Sequence, residues 1–88
     1  MTWTCNLSRT AAKQFQRLPR NQQVQVRRAI DQLGDDPFAG DVVPVKSGSF
    51  QGALRKRVGR YRVIFFLNEA VKLVEVAAIL PRTEKTYD

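Results

Sequence analysis

The segment Val58-Gly59-Arg60-Tyr61 constrains the fold of this chain more than any other. It reads as a two-residue β-hairpin turn, with Gly59 at the first central position as a type II′ turn requires. In that register Val58 lies opposite Tyr61, Arg57 opposite Arg62, and Arg55 opposite Ile64. Directly opposed residues of an antiparallel ladder share a face. The run Leu54-Arg55-Lys56-Arg57-Val58-Gly59-Arg60-Tyr61-Arg62 therefore projects three arginines, Arg55, Arg57 and Arg62, from one face of one hairpin. Like charges placed so are destabilising, and a small domain accepts them most readily where the face meets an anion. A phosphate backbone is the anion that fits.

The charge balance points the same way. Lys and Arg number 15 against 8 Asp and Glu, a formal net charge of +7 in 88 residues. On a small domain this is an electrostatic footprint for nucleic acid or an acidic partner. The length implies a single domain over residues 1–88 with one modest core, since chains of this size bury only roughly 60% of their unfolded surface. That leaves no room for a cofactor domain, so an active site must sit on the sheet or at its edges. No apolar run is long enough to span a membrane. Met1-Thr2-Trp3-Thr4-Cys5 lacks the charged-then-apolar pattern of a signal peptide. The expectation is a soluble cytoplasmic protein with no membrane partner.

Histidine is absent. This removes the commonest general acid/base, the commonest metal ligand and every Ser-His or Cys-His nucleophile system. The single cysteine, Cys5, allows no internal disulfide and no cysteine-based zinc site. It reads as a small core residue rather than a nucleophile. There is no acidic cluster of the kind magnesium requires, so neither a metal nor a cofactor is implied. Chemistry here must use arginine, lysine, tyrosine, carboxylates or the backbone.

Thr2 to Leu7 alternates as a half-buried strand, with Trp3, Cys5 and Leu7 on one side. Ser8 is an N-cap for a helix whose apolar face is Ala11, Ala12, Phe15 and Leu18, and Pro19 ends it. A second helix follows, with Val26, Ala29, Ile30 and Leu33 inside and Arg20, Arg27 and Arg28 outside. Gly34 reads as its C′ residue, and Asp35-Asp36-Pro37 blocks continuation. From Val42 the period changes to two. Strands are expected at Val42–Lys46, Ala53–Val58, Tyr61–Leu67 and Val71–Leu80, with a polar loop from Ser47 to Gly52 and a turn at Asn68-Glu69. Val63-Ile64-Phe65-Phe66-Leu67 is apolar on both faces, as in a central strand covered on both sides.

The order β-α-α-β-β-β-β gives an α+β domain with two N-terminal helices packed on one face of a mostly antiparallel sheet. Leu54, Val58, Tyr61, Val63, Phe65 and Leu67 face those helices, and Arg55, Arg57 and Arg62 line the opposite face. A short turn at Asn68-Glu69 places Glu75 or Val76 opposite Arg62 and brings Pro81-Arg82 close to the Gly59 turn. Arg82 and Tyr87 are candidates to complete the cationic cluster. The plainer alternatives are a solvated charge for Arg82 and a hydrophobic anchor for Tyr87.

A catalytic version of this cluster suits phosphodiester cleavage in RNA. The 2′-hydroxyl is an internal nucleophile, so the protein need only position it, move protons and stabilise charge on the phosphate. Arginine offers a planar fork that matches phosphate oxygens and stays charged at any working pH. Tyr87 is the best-placed proton donor or acceptor. Its ordinary pKa of about 10 makes a poor base at neutral pH, although neighbouring cations lower it.

The ordered pieces Phe15-Gln16-Arg17-Leu18-Pro19, Leu33-Gly34-Asp35-Asp36-Pro37-Phe38, Arg55 through Phe65, and the Arg-x-x-x-x-Tyr ending of Arg82 and Tyr87 resemble the RelE/ParE superfamily of toxin–antitoxin toxins. The resemblance covers nearly the whole chain and implies the same fold. RelE-type members cleave messenger RNA on translating ribosomes, whereas ParE-type members poison DNA gyrase without a nuclease site. Carried onto this sequence, the RelE-type chemistry implies catalytic roles for Arg62, Arg82 and Tyr87. It implies substrate binding by Arg55 and Arg57, with Lys56 between them. Some relatives have lysines where this chain has Ala53 and Arg55, and others use histidine or glutamate as base. This chain resembles the arginine/lysine/tyrosine subgroup.

The implied function is a type II toxin, a metal-independent endoribonuclease acting on messenger RNA in the ribosomal A site. Arg20, Arg27 and Arg28 are the expected contacts to ribosomal RNA, the plainer reading of that face being a solvated helix surface. The partners implied are a cognate antitoxin with an acidic, fold-on-binding segment, the ribosome and its messenger RNA, and operator DNA only through the toxin–antitoxin complex. Two rivals remain at this stage. One is a ParE-type gyrase-directed binding protein, and the other a non-catalytic relic that acts through its antitoxin.

Overall fold

The computed structural model of the chain describes residues 2–81. Strand β1 (Thr4–Leu7) leads into helix α1 (Arg9–Gln16) and helix α2 (Arg20–Asp35). Strands β2 (Val42–Pro44), β3 (Leu54–Val58), β4 (Tyr61–Asn68) and β5 (Leu73–Pro81) follow. They form one five-stranded sheet in the order β1-β5-β4-β3-β2, with β1 parallel to β5 and every other pair antiparallel.

Local chemistry explains the helices. Ser8 is extended, and its Oγ accepts the Ala11 N–H at 3.0 Å, so α1 starts where a hydroxyl can satisfy an orphan amide. Pro19 separates the two helices, and its carbonyl accepts the N–H groups of Gln22 and Gln23, both at 2.9 Å. Both helices pack on the same face of the sheet. Ala11, Val26, Ile30 and Leu33 meet Val63, Phe65, Val74, Val76 and Ile79, with Leu54, Val58, Tyr61 and Leu67 around them.

Gly34 is not the residue beyond the helix end. It lies buried in the last turn of α2, and Asp36 follows the helix in extended conformation. The Gly34 carbonyl accepts the N–H groups of Thr2 and Trp3 at 3.0 and 2.8 Å. These amides satisfy an acceptor that a left-handed glycine cap would otherwise serve. The same bonds take Thr2 and Trp3 out of the sheet, so β1 begins at Thr4 rather than Thr2. Strand β2 stops at Pro44, which has no N–H to extend an edge ladder.

The hairpin has the expected register, with Val58 opposite Tyr61, Arg57 opposite Arg62 and Arg55 opposite Ile64. Of its two central residues only Gly59 has positive φ, +55°, as a type II′ turn needs and a type I′ turn does not. The β4–β5 register differs from expectation. The connection is a loop over residues 69–72 with Lys72 at φ +54°, and Asn68 pairs with Leu73. The wider loop alone moves the partner of Arg62 from Glu75 to Ile79. A bulge that leaves Ala77 between the Phe65–Val76 and Ile64–Ala78 pairs carries it on to Leu80. The bulge is anchored by α1: Ser8 Oγ donates to the Ala77 carbonyl at 2.9 Å, and the Ile79 N–H donates to Gln14 Oε1 at 2.7 Å.

Candidate functional site

The sheet face away from the helices carries a second, smaller cluster. Ala53, Ile64 and Ala78 are buried there under Val45, Phe50 and Leu80. The segment from Val45 to Ala53 folds back against the strands, closed by the Val45 N–H to the Ala53 carbonyl at 2.9 Å and the Gly52 N–H to the Val45 carbonyl at 3.3 Å. Between this loop and the sheet lies a cleft of about 720 Å³. Ile64 and Leu80 line it from the strands, Phe50 and Lys46 from the loop, and Arg55 and Arg62 are its cationic side chains from the hairpin.

Alternation along β3 positions the basic residues. Arg55 and Arg57 lie on the cleft side, and Arg55 is buried to 9% exposure. Arg57 is more open and faces Arg62 directly across the ladder. Its Nε lies 3.6 Å from Asp41 Oδ2, and its N–H donates to the Asp41 carbonyl at 3.0 Å. Leu80 beside Arg62 is a consequence of the bulged register. The expected register would have put Glu75 or Val76 there, and Glu75 would have neutralised Arg62. Glu75 pairs with Phe66 instead, farther along the sheet.

Lys56 does not join the arginines. It points to the helix side, is 4% exposed, and its Nζ donates to the Ala39 carbonyl at 2.8 Å. Burial pushes its pKa down, with Asp36 and Asp41 acting in the opposite sense. One step of strand alternation separates it from both Arg55 and Arg57, which removes it from the expected substrate-binding set. Cys5 sits among the helix-side residues with Sγ 3.5 Å from the Ile30 carbonyl, and burial, aided by Asp31, pushes its thiol pKa up.

Arg20, Arg27 and Arg28 are exposed on α2, on the opposite side of the sheet from the cleft. They form a separate basic surface. Arg82 and Tyr87 lie outside the described residues. Pro81, the last described residue, pairs with Tyr61 next to Arg62. Among the described residues, no three histidine, cysteine, aspartate or glutamate side chains cluster to hold a metal. No described helix is long and apolar enough to cross a membrane. Sequence reasoning placed the polar loop from Ser47 to Gly52 but missed that it walls a cleft, although Phe50, a large apolar residue in that stretch, marks it. It also missed Asp41.

The same architecture occurs in solved structures. The crystal structure of the archaeal RelE–RelB complex from Pyrococcus horikoshii OT3 contains a chain that matches 96% of this one over 99% of its own length, with a TM-score of 0.82 and 25% identity. By fold, this chain is of the RelE/ParE type. The toxin–antitoxin complex RelBE2 from Mycobacterium tuberculosis matches at a TM-score of 0.81 and 19% identity, covering 93% of this chain and 100% of that one. A YoeB/ParE toxin from Agrobacterium tumefaciens matches at 0.74 and 16%, covering 91% and 99%. Neither a protein-family model nor a curated protein sequence matches the chain. Within this RelE-like fold, the arginine hairpin and its cleft occupy the sheet face that the helices leave uncovered.

Proposed function

We propose that this chain is the toxin of a type II toxin–antitoxin pair and an endoribonuclease that cleaves messenger RNA on translating ribosomes. The observation that carries the reading is the convergence of Arg55, Arg57 and Arg62 on one face of a RelE-like sheet, two of them lining a cleft. In this mechanism the 2′-hydroxyl attacks the adjacent phosphorus and the 5′-oxygen of the next nucleotide leaves. Negative charge grows on the non-bridging oxygens, where Arg62 and Arg82 act. Electrostatic stabilisation of this kind is usually the largest catalytic term, and one preorganised donor contributes about 3–4 kcal/mol. Arg55 and Arg57 hold the RNA backbone, and Tyr87 stacks on a base or moves a proton.

A chain without histidine lacks the side chain whose ordinary pKa lies near neutrality, so proton removal is the slow part of this chemistry. Cleavage therefore depends on the ribosome to order the RNA, and Arg20, Arg27 and Arg28 dock the protein on ribosomal RNA. Two of the similar structures are toxin–antitoxin or RelE–RelB complexes, which supports a cognate antitoxin for this chain. Its acidic segment folds over the cationic face, and operator DNA is met only through that complex. Toeprinting of translating ribosomes with purified protein is the test. Cuts within the A-site codon are expected. Rapid degradation of naked RNA, or gyrase inhibition without RNA cuts, overturns the reading, the latter in favour of a ParE-type activity.

A further inference from the structure

Asp41 flanks the arginine pair from the β2 side. Its carbonyl accepts the Arg57 N–H at 3.0 Å, and its carboxylate approaches Arg57 Nε at 3.6 Å. Arg57 faces Arg62 on its other side. Asp41, Arg57 and Arg62 thus form a row across the sheet, one anion followed by two cations.

Asp41 is held in place by more than its own contacts. It ends the loop that runs from Asp36 to β2, and that loop is pinned along its length. The Phe38 N–H donates to Asp36 Oδ1 at 2.9 Å, Lys56 Nζ donates to the Ala39 carbonyl at 2.8 Å, and the Val42 N–H donates to the Gly40 carbonyl at 3.0 Å. Gly40 has φ +83°, and a Cβ there would come within 2.9 Å of Lys56 Nζ. The path past the lysine suits glycine. Neighbouring residues of β3, Lys56 and Arg57, hold this one loop from the two faces of the sheet.

We infer that Asp41 is a tethered counterion for Arg57, an internal stand-in for phosphate that RNA displaces on binding. The inference rests on the phosphate-binding role given to the arginine face above. The contact has the strength such a role needs. Both side chains are about half exposed, 40% for Arg57 and 53% for Asp41, and the approach is through Nε at 3.6 Å. An exposed pair of this kind is weak, whereas a phosphate offers charge-assisted bonds matched to the guanidinium fork. With the acid present, the opposed cations Arg57 and Arg62 are partly compensated before RNA arrives. With RNA bound, that compensation passes to the phosphate and Asp41 becomes a competitor.

Single-turnover cleavage on programmed ribosomes tests this, with the half-saturating protein concentration and the maximal rate measured separately over a salt series. Asp41→Asn is expected to lower the half-saturating concentration by about two- to fivefold, the range an exposed ion pair commands. The maximal rate stays at the wild-type value, and the salt dependence steepens because the face presents one more net positive charge to the RNA. Asp41→Glu restores wild-type behaviour, and Asp41→Ser shifts in the same direction as Asp41→Asn. A raised half-saturating concentration or a reduced maximal rate in both folded neutral variants means that the acid orients Arg57 for binding, and overturns the counterion role. Unchanged constants overturn it as well. A wild-type protein that does not cleave overturns the ribonuclease reading itself, which an active wild type beside an unresponsive Asp41→Asn protein leaves intact.

Discussion

Arg57 and Arg62 are directly paired residues of the β3–β4 ladder, so two guanidinium groups leave the same face of neighbouring strands. Cross-strand like charges are destabilising by a fraction of a kcal/mol, a cost that buried hydrophobic neighbours such as Val63 and Ile64 absorb. Losing one charge-stabilising donor at a developing oxyanion costs about a hundredfold or more in rate. Arg62→Ala and Arg82→Ala are each expected to reduce ribosome-dependent cleavage by about that factor while the proteins remain folded. Single-turnover kinetics with thermal melts alongside check this. Full activity in folded variants removes both residues from the site.

Lys56 and Arg55 are sequence neighbours with opposite fates, and substitution separates them. Lys56→Met keeps most of the buried stem but removes the bond to the Ala39 carbonyl. A lost bond from a charged donor costs about 1.5–3 kcal/mol, partly offset because the buried charge disappears with it. The expected result is a lowered melting temperature with the maximal cleavage rate within about twofold of wild type, since the lost group lies on the helix side. Arg55→Ala, on the cleft side, is expected to weaken the proposed RNA binding instead. Equal loss of cleavage in both variants would contradict this division of faces.

The Cys5 thiol titrates above its ordinary value of 9.0 because burial, helped by Asp31, disfavours the thiolate. The folded state therefore holds its proton to higher pH than the unfolded state. This contribution to stability is fully present below pH 9.0 and is lost as pH rises through that value towards the folded pKa. Thermal melts from pH 7 upward are expected to show a decline in wild type beginning near 9.0 that is shallower in Cys5→Ala. Parallel declines in the two proteins would assign the alkaline loss to other groups.

The hairpin register was legible because one glycine fixes a turn and the turn fixes every pairing behind it. The helix faces were legible for the same kind of local reason, from Ser8, Pro19 and the spacing of Val26, Ile30 and Leu33. The partner of Arg62 was not. It depends on how far Lys72 can enter a positive φ and on a bulge at Ala77 that is anchored by Ser8 and Gln14, residues distant in the sequence. The place of Gly34 was hidden for a similar reason, since the amides that satisfy its carbonyl belong to Thr2 and Trp3. Of the candidate site, the three arginines followed from alternation alone. The loop that walls the cleft and the acid beside Arg57 required the tertiary fold.

Arg27 and Arg28 lie on α2, across the sheet from Arg55 and Arg62, so the proposed ribosome docking and the proposed chemistry are separable by position. A residue that contacts only ribosomal phosphates contributes equally to the ground state and the transition state. Its loss raises the half-saturating concentration without lowering the maximal rate. Each phosphate contact removed also flattens the dependence of binding on salt. Arg27→Ala and Arg28→Ala are therefore expected to weaken ribosome binding several-fold, to reduce its salt slope, and to cleave at the wild-type rate once saturated. The measurement is the same kinetic series at two or more ionic strengths. A fall in the saturated rate would place these arginines in the chemical step, and an unchanged salt slope would return the α2 face to plain solvated surface.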